Sequence, residues 1–179
     1  TSRIVALSCI STFAQQYSYL IPDTEIISFM KSHAKSGFDK SVIEWKLDEV
    51  YLSDSTFKKI ESSTAEKVWA NRGGYGAAPK LKEYLTSEDF EFIKEQVGAL
   101  KATKWTSELL DTNEVKRSPT RNKGYYAYSI PLFSISGNFV LIKTHYNCGN
   151  LCGWSCVEAY QKLENGSWEN IGCFAKKVF

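Results

Sequence analysis

Four cysteines crowd the end of the chain, in Cys148-Gly149-Asn150-Leu151-Cys152-Gly153-Trp154-Ser155-Cys156 and then Cys173. Thiols can bridge, ligate a metal or attack a substrate. Four of them allow three pairings. With Asn165-Gly166 at the centre of a type I′ turn, Glu164 faces Ser167 and Glu158 faces Cys173. Cys156 then becomes a diagonal neighbour of Cys173 on one sheet face. These two are expected to bridge with a small bulge, and Cys148 with Cys152 to close a tight loop in which Gly149 and Gly153 relieve the backbone. Zinc held by four thiolates is the competing account, although the third ligand arrives early and exported thiols usually oxidise before they meet the metal. A thiol-disulfide catalyst usually carries Cys-x-x-Cys at a helix start, whereas here the spacing is wider and the surroundings read as strand.

The other reactive groups form no convincing constellation. His145 lies three residues before Cys148, but on an extended strand the two point to opposite faces, so a base-thiol dyad is not favoured. His33, beside Lys31 and Lys35, reads as solvated helix surface. No residue set has zinc-hydrolase or EF-hand spacing, so no metal or cofactor is expected. Arg72-Gly73-Gly74-Tyr75-Gly76 lacks the Lys-Ser or Lys-Thr of a phosphate-cradling loop. Glu88, Asp89, Glu91 and Glu95 decorate a helix start rather than converge across a cleft as a glycosidase pair must. Lys116, Arg117, Arg121 and Lys123 before Tyr125, Tyr126 and Tyr128 could pair phosphate contacts with stacking, yet the net charge is only +2, and no nucleic-acid partner is expected. Asn165-Gly166-Ser167 matches a glycosylation acceptor, although a turn alone accounts for it.

The elements that must position these residues divide the chain in two. Asp23 reads as the cap of a first helix running to about Ser36, with Ile26, Phe29 and Met30 on one face. Val42 to Leu52 reads as a strand. Phe57, Ile60 and Val68 line a second helix, ended by the glycine-rich loop. The clearest helix starts at Ser87 as cap and carries Phe90, Ile93, Val97 and Leu100. A polar basic connection, Asn113 to Lys123, leads to a β-rich end. There Tyr126, Tyr128, Ile130 and Leu132 share one parity, Ser136-Gly137-Asn138 turns the chain, and Phe139 to Tyr146 returns. Pro131 cannot donate to a ladder, so the first strand should lie at an edge or carry a bulge. A second hairpin runs from Val157 to Phe174. Helices first and strands last predict an α+β fold, its N-terminal helices packed on one face of a C-terminal antiparallel meander of about four strands.

The 179 residues, 43% apolar and 23% charged, fit one domain with a sufficient core, helix-rich over 15–123 and strand-rich over 124–179. Residues 1–14, apolar after Arg3 and ending Thr12-Phe13-Ala14, read as a signal-peptide remnant cleaved after Ala14. A buried strand, or lipidation at Cys9, suits the same segment less well. Export would leave an even four of the five cysteines in an oxidising space, periplasmic or secreted. No segment is long enough for a membrane-spanning helix.

The C-terminal third resembles a loose group of exported bacterial proteins of uncharacterised function. The resemblance lies in Ser129, Pro131, Phe133, Ser134 and Gly137, then Cys148-Gly149-x-Leu151-Cys152-Gly153, and finally Asn165-Gly166-x-Trp168. The chain departs from that pattern at Trp154 and in adding Cys156 with Cys173. It implies export and transfers no catalytic residue. Five tryptophans and ten tyrosines motivate an exposed aromatic patch for a protein or glycan partner at the cell envelope. The expected function is therefore an exported, disulfide-stapled binding or structural module. The enzyme alternative is a small hydrolase or redox protein using Cys148 or Cys152.

Overall fold

A computed structural model describes residues 16–35, 38–45, 64–66, 77–80, 84–102, 104–106, 124–149, 152–173 and 177–178. It is an α+β fold. Among the described residues two helices, α1 (Asp23–His33) and α2 (Ser87–Gly98), accompany strands β1 (Thr64–Glu66), β2 (Ala77–Lys80), β3 (Tyr125–Tyr128), β4 (Leu132–Phe133), β5 (Phe139–Gly149), β6 (Cys152–Lys162), β7 (Trp168–Cys173) and β8 (Lys177–Val178). The antiparallel sheet runs β2-β1-β7-β6-β5-β3, with β4 also on β5 and β8 also on β6. The C-terminal meander is thus present, but strands of the helix-rich half extend it. Thr64–Glu66 is strand, which breaks the expected helix through residues 57–68; Phe57, Ile60 and Val68 lie outside the described residues. So do the proposed leader, the glycine-rich loop and the basic connection.

Both helices end where local chemistry ends them. At α1 the cap is Pro22, and Ala34 turns extended after its N–H reaches the Met30 carbonyl, so the helix stops short of Ser36. Asp23 does not cap α1. Its carboxylate accepts instead from the amides of Gln16 at 2.7 Å and Tyr17 at 3.1 Å, tying the preceding chain to the helix start. At α2 the cap is Thr86, one residue before the expected Ser87, in a reciprocal capping box with Asp89. The second Asp89 oxygen accepts from the Ile135 amide at 2.9 Å. Burial works against ionisation of Asp89, but these amides and the Thr86 hydroxyl hold its carboxyl below its ordinary value.

Apolar alternation along β5 divides the core. Phe139 and Leu141 join Val157, Ala159 and Ile171 with Phe90, Ile93 and Val97 of α2. Val140 and Ile142, of opposite parity, join Tyr128, Phe133 and Tyr160 with Ile26, Phe29 and Met30 of α1. Each helix thus contributes its apolar residues to a different cluster.

Ser129–Pro131 interrupts the first strand between β3 and β4, as the missing proline donor requires. Side chains satisfy the interrupted backbone. The Trp45 indole N–H donates to the Ile130 carbonyl at 2.8 Å, and the Trp105 indole N–H to the Tyr128 carbonyl at 3.2 Å. The expected strand from Val42 is represented by isolated bridges, Ser41 to Lys104 and Val42 to Tyr128; residues 46–52 are not described.

Candidate binding site

The end of the sheet carries a row of aromatic residues. Tyr126 pairs with Tyr146, Tyr146 with Trp154, and Trp154 with Val178, so four strands place these side chains on one face in direct succession. The Tyr126 and Tyr146 ring centroids are 4.8 Å apart, those of Tyr146 and Trp154 6.3 Å, and those of Tyr126 and Trp154 6.4 Å. The three rings are half-buried, and Val178 is 73% exposed. One row inward, Tyr128, Thr144 and Cys156 are buried. The chain passes close to the row at Gly124, where a Cβ would run into the Tyr146 hydroxyl.

Two disulfides hold this region. Cys148–Cys152 spans 5.2 Å between Cα atoms and Cys156–Cys173 spans 5.8 Å, in the pairing expected from sequence. The turn that led to the second bridge is different, however. Gly166 N–H donates to the Leu163 carbonyl and Leu163 N–H to the Ser167 carbonyl, both at 2.8 Å, giving a three-residue loop with Gly166 at φ 81°. Leu163, not Glu164, therefore faces Ser167. A register shift between Ala159 and Tyr160 then restores Glu158 opposite Cys173. The loop and the bulge offset one another. At the other bridge, Gly149 adopts φ 119° and donates its N–H to the Asn147 side chain at 2.9 Å. The four sulfurs are bonded in pairs and so do not form a tetrahedral thiolate set. Among the described residues no group of three or more His, Cys, Asp or Glu could hold a metal.

A buried polar cluster adjoins the row. Thr144 donates its hydroxyl to Glu158, whose other oxygen accepts from the Asn170 amide at 3.4 Å. Burial pushes the Glu158 carboxyl up; Thr144, Asn170, Lys35 and Tyr160 partly oppose that shift. Tyr160 and Tyr128 are also raised, by burial first, with the Glu158 charge adding to it. His33 is not solvated surface. Its ring lies 4.5 Å from that of Tyr160 and 5.4 Å from that of Tyr128, and stacks on Phe29 at 5.2 Å. Its buried Nε2 has no hydrogen-bond partner. Burial, then Lys35, lowers its pKa to about 4.

Sequence reasoning did not find this cluster. The available signal was a lone polar residue on each apolar parity, Thr144 between Ile142 and Tyr146, and Glu158 between Cys156 and Tyr160. The four helix acids behave as a helix face: Glu88, Glu91 and Glu95 are exposed, Glu91 accepts from Lys94 at 3.0 Å, and Asp89 is used in the cap. His145 lies at the opposite parity from Tyr146, its pKa lowered by burial and by Lys143, while the Cys148 sulfur is bonded to Cys152. Of the tryptophans described, Trp45 and Trp105 are buried and Trp154 and Trp168 are half-buried. Away from the row, a cleft of about 370 Å³ lies between residues 42–45 and the end of α2. No helix among the described residues is long and apolar enough to cross a membrane. A scan against family models returns no match, nor does comparison with curated proteins or with solved structures.

Proposed function

We propose that the chain is an exported binding module of the cell envelope that holds a glycan against the Tyr126-Tyr146-Trp154 row. One observation carries this reading: three half-buried rings occupy successive strands beside a disulfide, just beyond the part of the sheet face that is buried. Three strand spacings make the strip from Tyr126 to Val178 about 14 Å long. Such a strip suits a narrow, extended ligand better than the roughly 800 Å² per partner of an ordinary protein interface. Sugar C–H edges complement the negative faces of aromatic rings, and the near-neutral charge gives no preference for a polyanion.

In this reading the helices support the sheet, and the two bridges set its shape and carry no catalytic step. Pairing of all four sulfurs supports a structural role, as does the placement of Cys156–Cys173 within the core. Export is supported by the bridges themselves and by the Cys-Gly-x-Leu-Cys-Gly resemblance. The test is calorimetric titration of the full chain with neutral hexasaccharides: cellohexaose, chitohexaose and maltohexaose. Binding to at least one, lost on Trp154→Ala, is expected. Absence of binding to all three, or binding indifferent to Trp154→Ala, overturns the reading.

A further inference from the structure

We propose that Cys148–Cys152 is a redox-sensitive clasp on the aromatic row, opened by an external dithiol; the inference rests on the binding reading above. The two bridges differ in access. Cys156 and Cys173 are 2% and 3% exposed, so an incoming thiolate cannot reach their sulfur-sulfur bond while the sheet is closed. Cys152 is exposed and Cys148 half-buried. Exchange needs access to the attacked sulfur, which selects the second bridge.

The chemistry is ordinary thiol-disulfide exchange. A thiolate of the dithiol attacks Cys152 Sγ, the bond to Cys148 breaks, and Cys148 leaves as a thiolate that takes a proton. The second thiol of the reagent, once deprotonated, displaces Cys152 and closes the reagent's own disulfide. Two electrons pass to the protein, and the dithiol is oxidised.

The position of the bridge couples that step to the row. Cys148 and Cys152 each lie two residues outward from Tyr146 and Trp154 on their own strands. Beyond the Tyr146 to Trp154 pair, the β5–β6 ladder retains only Asn147 to Gly153 and, after a register shift, Gly149 to Cys152. With only the Tyr125–Asn147 pair of β3 beside it beyond the row, this end of the β5–β6 ladder opens locally at low free energy once its covalent closure is removed. Fraying from that end reaches Tyr146 and Trp154 before any other paired rings, whereas the Cys156–Cys173 bridge further in remains closed. The oxidised row is thus the assembled one.

The experiment titrates the full chain with dithiothreitol, then alkylates with iodoacetamide and maps the modified peptides. Trp154 emission is obtained as the difference between the wild-type protein and Trp154→Phe. Cys148 and Cys152 should become alkylated together while Cys156 and Cys173 stay bridged, with Trp154 emission moving to longer wavelength over the same range. The Cys148→Ser/Cys152→Ser protein, which needs no reductant, should show the shifted emission. Opening of both bridges at the same reductant concentration overturns the clasp, as does unshifted Trp154 emission in the reduced or double-serine protein. A hexasaccharide that binds the oxidised chain should lose at least tenfold in affinity on reduction. Equal affinity in both states overturns the clasp and leaves the binding reading standing. Failure of every sugar to bind the oxidised chain overturns the binding reading alone, and alkylation with emission still decides the clasp.

Discussion

Tyr146 and Trp154 face one another across β5 and β6, their rings 6.3 Å apart and inclined at 38°. They lie two residues inside a covalent bridge. That relationship joins the aromatic row to the disulfide and makes their contributions separable. Because both rings remain half-buried, Trp154→Ala should reduce stability by only about 1 kcal/mol, below the usual 3–5 kcal/mol for a core tryptophan. It should nevertheless abolish sugar binding. Urea unfolding followed by calorimetry on the same preparation checks both.

The bridges should differ in their stabilising effect. In the chain-entropy model Cys156–Cys173, at a sequence separation of 17, contributes about 3 kcal/mol, and Cys148–Cys152, at a separation of 4, about 2 kcal/mol. Paired serine substitutions, compared by denaturant midpoint, should show the larger loss at 156 and 173, where the hydroxyls would also be buried.

His33 should make the fold sensitive to acid. Its pKa falls from 6.5 to about 4 in the folded chain, so the unfolded chain binds the extra proton between those values. Its contribution to stability is complete above pH 6.5 and is lost as pH falls toward 4, by about 3 kcal/mol at most. His33→Phe retains a ring against Phe29, Tyr128 and Tyr160 while removing a buried nitrogen without a partner. It should raise the melting temperature at pH 5 and flatten its dependence between pH 4 and 6.5.

Glu158 should act in the opposite direction. Burial raises its carboxyl pKa, so the folded chain retains a proton that the unfolded chain has released. Stability from this group therefore falls as pH rises above the ordinary carboxylate value toward the raised one. Glu158→Gln keeps an oxygen for the Thr144 hydroxyl and removes the ionisation. Thermal melts should show the substituted protein losing less stability than wild type as pH increases through that window.

Gly124→Ala should disturb the row without reaching the central core. The new methyl meets the Tyr146 hydroxyl, so that ring must move. Its contact with Tyr126, at a 4.8 Å centroid separation, should loosen by an amount visible in the aromatic NMR resonances. A spectrum with Tyr126 and Tyr146 unchanged would show that the close approach at Gly124 does not position the row.

Sequence showed the sheet more clearly than the site. The apolar run from Phe139 to Tyr146 and Asn165-Gly166 in the turn marked the central strands, because an apolar run of strand length and a glycine in the left-handed region are local properties. The Cys156–Cys173 pairing was also legible, though through a turn one residue too short and a bulge that offset it. Local capping chemistry nearly located α2, missing its cap by one residue because Ser87 follows Thr86 and both are able caps. The His33 reading failed for a different reason. Neighbouring Lys31 and Lys35 describe the chain around it, whereas its burial arises from Tyr128 and Tyr160, about a hundred residues away. Composition suggested an exposed aromatic patch but no row: only the registers of β3, β5, β6 and β8 show which rings align, and those rings are half-buried.

Gln96 has a consequence for how copies of this molecule can meet. From α2 its amide donates to the Phe133 carbonyl at 2.6 Å and accepts from the Phe133 N–H at 2.9 Å, reproducing with one side chain the two bonds of a neighbouring strand. An incoming chain seeking to lengthen the sheet at β4 finds that backbone position occupied. It would have to displace a fully buried glutamine before forming its first bond there. The helix thus protects β4 from edge-to-edge aggregation as well as supplying core contacts.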